Sequence, residues 1–358
     1  MISTLAILPL VILSTLLALA LFGFDRTSLA RRARADLAAR QSIHTRPTPR
    51  VGGIAIAVGI LSGALLSADP IFSALLWTVL PIFVVGIVED FGPDTPPSLR
   101  LSVAALSAVL AIIVLGVRVD RLDVAALDWA LGLPVAAIAF TMFASVGMTH
   151  AINLVDGLNG LSAAVVISIS SCLGLVAWKY GHSDLALMNA IICAAFFAFL
   201  LLNFPRGLYF LGDAGAYSVG HLLAWSAILL LNREPQVSAW GILLILLWPV
   251  VDTLFTIFRR LRAGRPVAAP DLMHYHHVMM RVVAIVAPKR LSVAWTNPIG
   301  SALTWPLLAL PGAIGVILIN DNAAALAAVL VFCLLYVTSY RILVQNVLKF
   351  RRRPPIKK

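Results

Sequence analysis

Residues 71–94 read IFSALLWTVLPIFVVGIVEDFGPD, a long apolar run that stops on two adjacent carboxylates, Glu89 and Asp90. A membrane-spanning helix takes about 20 apolar residues, and this stretch has that length and character. A carboxylate at its end needs a reason. An ionised group near hydrocarbon costs roughly 2.5 to 3.5 kcal/mol at a helix centre on insertion scales, so it faces a cavity, an ion or a partner. The placement recurs twice, with Asp156 in HAINLVDGLNGL (residues 150–161) and Asp213 in YFLGDAGAY (residues 209–217). Three such carboxylates can build one site if their runs end on the same side of the membrane.

Working outward, the whole chain has the same character. Its 358 residues are 61% hydrophobic and 12% charged, with a mean hydropathy of +0.97. One soluble core cannot bury that much apolar surface, so lipid is the solvent. Eleven candidate spans are centred near residues 13, 60, 79, 109, 142, 168, 193, 223, 247, 308 and 334. The run from Ile2 to Phe24 is too long for a signal-peptide core and lacks a basic start and a small-residue cleavage pattern. It is expected to stay as the first helix. The fold predicted is all-α, a polytopic integral membrane protein with about 11 transmembrane helices in a single catalytic domain over residues 1–358.

Charge then orients it. With the N-terminus outside, residues 25–50, 89–100, 153–160, 203–213, 259–295 and 347 onward are cytoplasmic and hold 22 of the 27 Lys and Arg, against four on the opposite side. Basic residues favour the cytoplasmic face, so Asp90, Asp156 and Asp213 all face the cytoplasm of a multi-pass protein of the inner (plasma) membrane. The basic residues cluster in loops, notably the large loop 259–295 and the tail 347–358, rather than along a soluble face, so nucleic acid is not an expected partner. Cys172, Cys193 and Cys333 are odd in number and lie within apolar runs. They read as packing residues.

Each polar segment has a plain reading and a chemical one. Glu89 and Asp90 form either a solvated helix end or a pair whose mutual repulsion calls for a cation or a bound proton. Asn153, Asp156 and Asn159 are three apart, which on a helix lines one face, with Gly157 and Gly160 admitting a ligand or another backbone; capping is the alternative. Asp213 is either the N-cap of the following helix or a metal ligand beside backbone N–H groups free for a phosphate. The loop after Arg259, Arg260, Arg262 and Arg265 carries His274, His276 and His277 around Tyr275. No fourth ligand completes a zinc set, so donation to phosphate oxygens is expected. RPTPRVGG (residues 46–53) reads as a structural turn from which Arg46 or Arg50 reaches an anionic headgroup. Asp252 lies inside the ninth span and is expected to pair there or to orient a cytoplasmic side chain.

Taken together, RPTPRVGG, the acidic motif at 89–94, NLVDGLNG, FLGDAG and the HYHH loop resemble the polyprenyl-phosphate N-acetylhexosamine-1-phosphate transferases (glycosyltransferase family 4), the family of WecA and MraY. The resemblance covers roughly Arg46 to Arg281, and the helix count is similar to the WecA-like branch. It implies attack of a polyprenyl phosphate on a UDP-N-acetylhexosamine, giving polyprenyl-diphosphate-sugar and UMP, with Mg²⁺ (or Mn²⁺) required. By the same resemblance, Asp213 and Asn153 ligate the metal. Glu89 and Asp90 handle the lipid phosphate, and Asp156 with Asn159 lines the nucleotide-sugar pocket. Arg46 binds substrate, and His274, His276 and His277 lie near the diphosphate. Glu89 replaces the more usual aspartate, His150 an asparagine, and Tyr275 interrupts the histidine run. These departures favour a transferase that initiates a cell-surface polysaccharide over the phospho-N-acetylmuramoyl-pentapeptide transferase of peptidoglycan synthesis. A transporter or lipid flippase is the competing class, and a homodimer is one open expectation for assembly.

Overall fold

Proline sets the start of three helices, because its missing N–H falls where no intrahelical partner exists. The computed structural model, which describes residues 4–23, 48–92, 95–269, 271–287 and 293–351, has α3 (Pro70–Phe91), α4 (Pro97–Leu115) and α6 (Pro134–Val155) each opening on that residue. Around them lie α1 (Thr4–Gly23), α2 (Gly52–Ser67), the short α5 (Ala125–Leu131), α7 (Leu161–Lys179), α8 (Ser183–Asn203) and α9 (Gly212–Arg233). The chain continues through α10 (Ala239–Ile245), α11 (Leu247–Arg262), α12 (Tyr275–Val286), α13 (Val293–Ile317) and α14 (Asn322–Arg351). There is no strand among the described residues. The all-α, membrane-embedded expectation holds, and every expected span centre falls within a helix or a helix pair. Eight described helices are long and apolar enough to cross a membrane, or nine with the bent pair α10–α11. In the first two runs the apolar helical stretches are Ala6–Phe22 and Gly52–Ser67.

The bundle is built around α9. In its most apolar window 94% is buried inside the protein, against 22% for α4 and for α14. It is therefore wrapped by other helices while the outer ones face lipid. Close approach at its N-terminal end depends on missing side chains. A Cβ on Gly86 would lie 2.3 Å from Ala214 Cα, so α3 crosses α9 backbone to backbone.

Three local readings change. Asp213 is not the N-cap of α9: Leu211 holds that position and Asp213 is the second helical residue. Asn153, Asp156 and Asn159 do not share a helix face, because α6 ends at Val155 and Asp156 is its C-cap. The ninth apolar run is not one rod, since α10 and α11 meet at 83° around Leu246. The large loop 259–295 is also more ordered than its charge suggests. Arg259 and Arg260 both pair with Asp271, the second at 3.6 Å, and α12 follows. Burial alone would raise the Asp271 carboxyl, but Arg259 overrides it and holds the group below the ordinary carboxylate range.

Candidate active site

Segment 48–53 is more than a turn. It runs beside residues 207–211, with Phe210 N donating to Pro49 O at 3.0 Å, Gly52 N to Phe210 O at 2.9 Å and Gly53 N to Leu211 O at 2.7 Å. This backbone pairing sets Arg50 against the start of α9. Its guanidinium lies 3.3 Å from Asp213 Oδ2 and 3.8 Å from Asp90 Oδ1. Asn153 approaches from α6, its amide donating to Asp213 Oδ1 at 2.5 Å. Four segments distant in sequence thus meet at one helix N-terminus, where backbone dipoles favour negative charge.

Asp90 has a specific part in that meeting. Its two oxygens accept from Asp213 N at 2.9 Å and Ala214 N at 3.0 Å, so a carboxylate from α3 caps α9. Gly212 makes room for it: φ is +74°, and a Cβ would lie 2.6 Å from Asp90 Oδ2. Glu89 turns the other way. Thr95 Oγ1 donates to it at 2.7 Å and Arg100 at 2.8 Å, and Arg100 also reaches Tyr217 Oη at 3.4 Å. The two adjacent acids therefore avoid each other by facing different partners.

The turn after α6 joins this cluster to the histidines. Asp156, half-buried, lies near enough to Asp213 to feel it: burial, with a smaller push from that neighbouring carboxylate, raises the Asp156 carboxyl to about 6. Gly157 receives the histidine loop, since a Cβ there would lie 2.6 Å from His276 Nε2 and 3.0 Å from His277 Nε2. Both ring nitrogens of the fully buried His276 lack a hydrogen-bond partner, as does His277 Nδ1. Burial lowers His277 to about 4, so the ring is neutral at ordinary pH. Unpartnered buried polar atoms are costly, and an incoming phosphate would accept from whichever nitrogen of each ring carries the hydrogen. His274 stands apart, with Nδ1 against Asp252 Oδ2 at 2.6 Å.

Asn159 is drawn into bracing the turn. Its backbone N–H donates to Asn297 Oδ1 at 2.8 Å and its side chain to Pro205 O at 2.9 Å. Asn203 bonds the next amide, Gly160, and donates to Tyr209 O at 2.6 Å. Arg46 lies outside the described residues. Arg100, Asn203 and Asn297 were not singled out from the sequence, and Arg50 only as one of two candidates. Nothing local in a lone Asn or Arg announces which group the fold will set against it.

The donor set suits a magnesium-type ion of low protein denticity. Among the described residues no group of three or more His, Cys, Asp or Glu is arranged to hold a metal. Mg²⁺ usually takes only one or two carboxylates and completes its shell with phosphate oxygens and water. Asp213 and Asn153 meet at one point, and an amide turned over offers its oxygen in place of its nitrogen. Both would then present oxygen to the same ion.

A helical membrane protein with carboxylate, amide, guanidinium and imidazole groups gathered at helix ends has the parts of a phosphoryl-group transferase. The chain belongs to glycosyl transferase family 4, whose model matches residues 72–231. It is 30% identical over 265 residues to a probable undecaprenyl-phosphate N-acetylglucosaminyl 1-phosphate transferase of Bacillus subtilis, covering 72% of each chain. It is 27% identical to a decaprenyl-phosphate N-acetylglucosaminephosphotransferase of Mycolicibacterium smegmatis over 73% of this chain and 72% of that one. An undecaprenyl-phosphate alpha-N-acetylglucosaminyl 1-phosphate transferase of Yersinia pestis is 28% identical over 75% and 78%.

Proposed function

We propose that this protein transfers N-acetylhexosamine-1-phosphate from a UDP-sugar to a polyprenyl phosphate, forming polyprenyl-diphosphate-sugar and UMP as the first step of a cell-surface polysaccharide. The observation that carries the reading is the convergence of Arg50, Asp90, Asn153 and Asp213 at the N-terminus of α9. Two anionic phosphates must come within bonding distance, so the site needs positive charge and backbone donors to offset their repulsion. Asp213 and Asn153 would hold Mg²⁺ (or Mn²⁺), which when bound supplies charge neutralisation at the diphosphate.

The remaining roles follow from position. Arg50 is placed to hold a phosphate oxygen, because its guanidinium already bridges towards Asp213 and Asp90. Asp90 fixes the helix start that presents Asp213. Glu89 orients Arg100, which donates to the lipid phosphate. A phosphate monoester has a second pKa of about 6, so the acceptor is already largely dianionic at neutral pH and proton abstraction is a lesser demand. Asp156 and Asn159 shape the nucleotide-sugar side, Arg46 reaches an anionic group, and His276 and His277 donate to the diphosphate with His274 beside them. Residues 1–358 form one catalytic domain in the inner membrane, crossing about eleven times with the N-terminus outside; the 22-to-four distribution of basic residues supports a cytoplasmic site.

The test is direct. Purified full-length protein is incubated with polyprenyl phosphate, Mg²⁺ and a panel of UDP-N-acetylhexosamines, and UMP release and the mass of the lipid product are measured. A lipid heavier by one N-acetylhexosamine phosphate is expected. No UMP from any donor would overturn the reading, and a product carrying a pentapeptide would move it to the peptidoglycan enzyme.

A further inference from the structure

Asp252 is fully buried, lies outside the matched family region, and sits six residues after the 83° break at Leu246. An intramembrane carboxylate is retained only where partners satisfy it, and here each oxygen is committed. Oδ2 meets His274 Nδ1 at 2.6 Å. Oδ1 accepts from the Tyr275 backbone N–H at 3.1 Å, the first residue of α12, and from the Tyr336 hydroxyl of α14 at 2.5 Å. The break aims α11 so that its carboxylate meets the start of α12, and the last helix supplies the third donor.

Aromatic rings close the pocket. Trp248 packs edge-on to Tyr275 and Tyr336 at centroid distances of 5.0 and 5.5 Å, and Phe255 meets Tyr336 at 5.6 Å. Tyr340 Oη donates to Met273 O at 2.9 Å. Beyond the pocket the rings are in contact: His274 lies nearly parallel to His276 at 5.7 Å, and His276 meets His277 tilted at 4.2 Å. The orientation of His274 therefore passes to the two rings whose Nε2 atoms face Gly157.

We infer that Asp252 is a positioning residue for the histidine segment, and that Tyr336 of the last helix is the clamp that holds it. Within the proposed transferase function, on which the kinetic part rests, the pair fixes His274 with its proton on Nδ1 and sets the angle at which His276 and His277 meet the diphosphate. An ionised carboxylate can only accept, so the Nδ1 proton is imposed by Asp252. Asparagine at 252 keeps the shape but not this bond. Its oxygen must stay opposite Tyr275 N and Tyr336 Oη, so its NH₂ falls opposite His274 Nδ1. The proton must then leave Nδ1.

The experiment uses full-length protein carrying ¹⁵N-histidine, with His274 assigned through a His274→Gln variant. Wild type and Tyr336→Phe should show a protonated Nδ1 on His274, and Asp252→Asn an unprotonated one. Kinetically, Asp252→Asn should lower kcat on the order of 100-fold, the upper end of what losing a partner that orients a working histidine costs. Tyr336→Phe, which keeps the ring and its packing, should lower it about tenfold. The KM for polyprenyl phosphate should change in neither. A protonated Nδ1 in Asp252→Asn, kcat within twofold of wild type in both variants, or a rise in lipid KM with kcat kept would each overturn the inference. If wild type turns over no UDP-N-acetylhexosamine, the functional reading fails while the nitrogen signals still decide the positioning.

Discussion

Two buried aspartates start two helices, and they do so differently. Asp90 reaches from α3 to two amides of α9, Asp213 N and Ala214 N. Asp252 reaches from α11 to one amide of α12 and spends its other contacts on an imidazole and a phenol. In both, a carboxylate complements the positive end of a helix it does not belong to. What differs is the side chain presented beyond the cap. Asp90 presents another acid, Asp213, to the place where a cation is proposed, whereas Asp252 holds a ring that sets the two imidazoles proposed to donate to phosphate. The first end manages repulsion between like charges and the second manages ring orientation, so the two ends should fail differently when broken.

The largest effect is expected where the comparison is sharpest. Asp213→Asn removes the one charged side chain that the Asp90 cap presents, and kcat should fall by about 10³-fold or more at every pH, measured as UMP release. Retention of a tenth of the activity would mean that the cation is held elsewhere. Asp90→Asn tests the cap itself. One of its two acceptors becomes an NH₂ facing a backbone N–H, so unfolding should come easier by about 1–2 kcal/mol, read as a lowered Tm in detergent. Gly212→Ala should reproduce that loss by another route, because the new Cβ meets the Asp90 carboxylate at a φ of +74°. If both variants melt like wild type, the cap is dispensable and the comparison collapses.

Much of this arrangement could be read from the chain. Apolar runs locate the long helices, though not the short α5 and α12, because lipid demands length and continuity, and the carboxylates at the ends of those runs announce a site. The geometry around them could not be read so easily. Asp213 looks like an N-cap because Leu-Gly-Asp before an apolar run is the local pattern, yet the capping carboxylate comes from Asp90, more than 120 residues earlier. The break at Leu246 is silent because residues 239–251 are apolar throughout, and Pro249 lies in the first turn of α11, where proline is compatible with a helix start. Arg100 counts among the orienting basic residues in sequence, and only the fold sets it on Glu89.

Glu89 offers a smaller test on the acid-rich side. Its carboxylate is already held by Thr95 and Arg100, a poor arrangement for accepting a proton and a good one for steering Arg100. Glu89→Gln keeps one acceptor, so kcat should fall about tenfold, as for loss of an orienting partner, and recover in part as rising pH completes ionisation of the lipid phosphate, whose second pKa is about 6. A loss that stays flat up to pH 9, with Tm unchanged, would make Glu89 a general base rather than a guide for Arg100.

The smallest expected effect lies at the imidazole end and concerns stability. Burial holds His277 near 4, with His274 adding a smaller lowering, against about 6.5 for a free histidine. Between those values the unfolded chain binds a proton that the folded one refuses. The stability contributed by the neutral ring is therefore present above about pH 6.5 and lost as pH falls towards 4. In His277→Gln that loss disappears, so the drop in Tm between pH 7.5 and pH 5 should be shallower than in wild type, while Asp213→Asn should leave this slope as it was. Parallel curves for wild type and His277→Gln would show that the ring is protonated in the fold. The histidine end would then also be managing charge, and the distinction from the Asp90 end would fail.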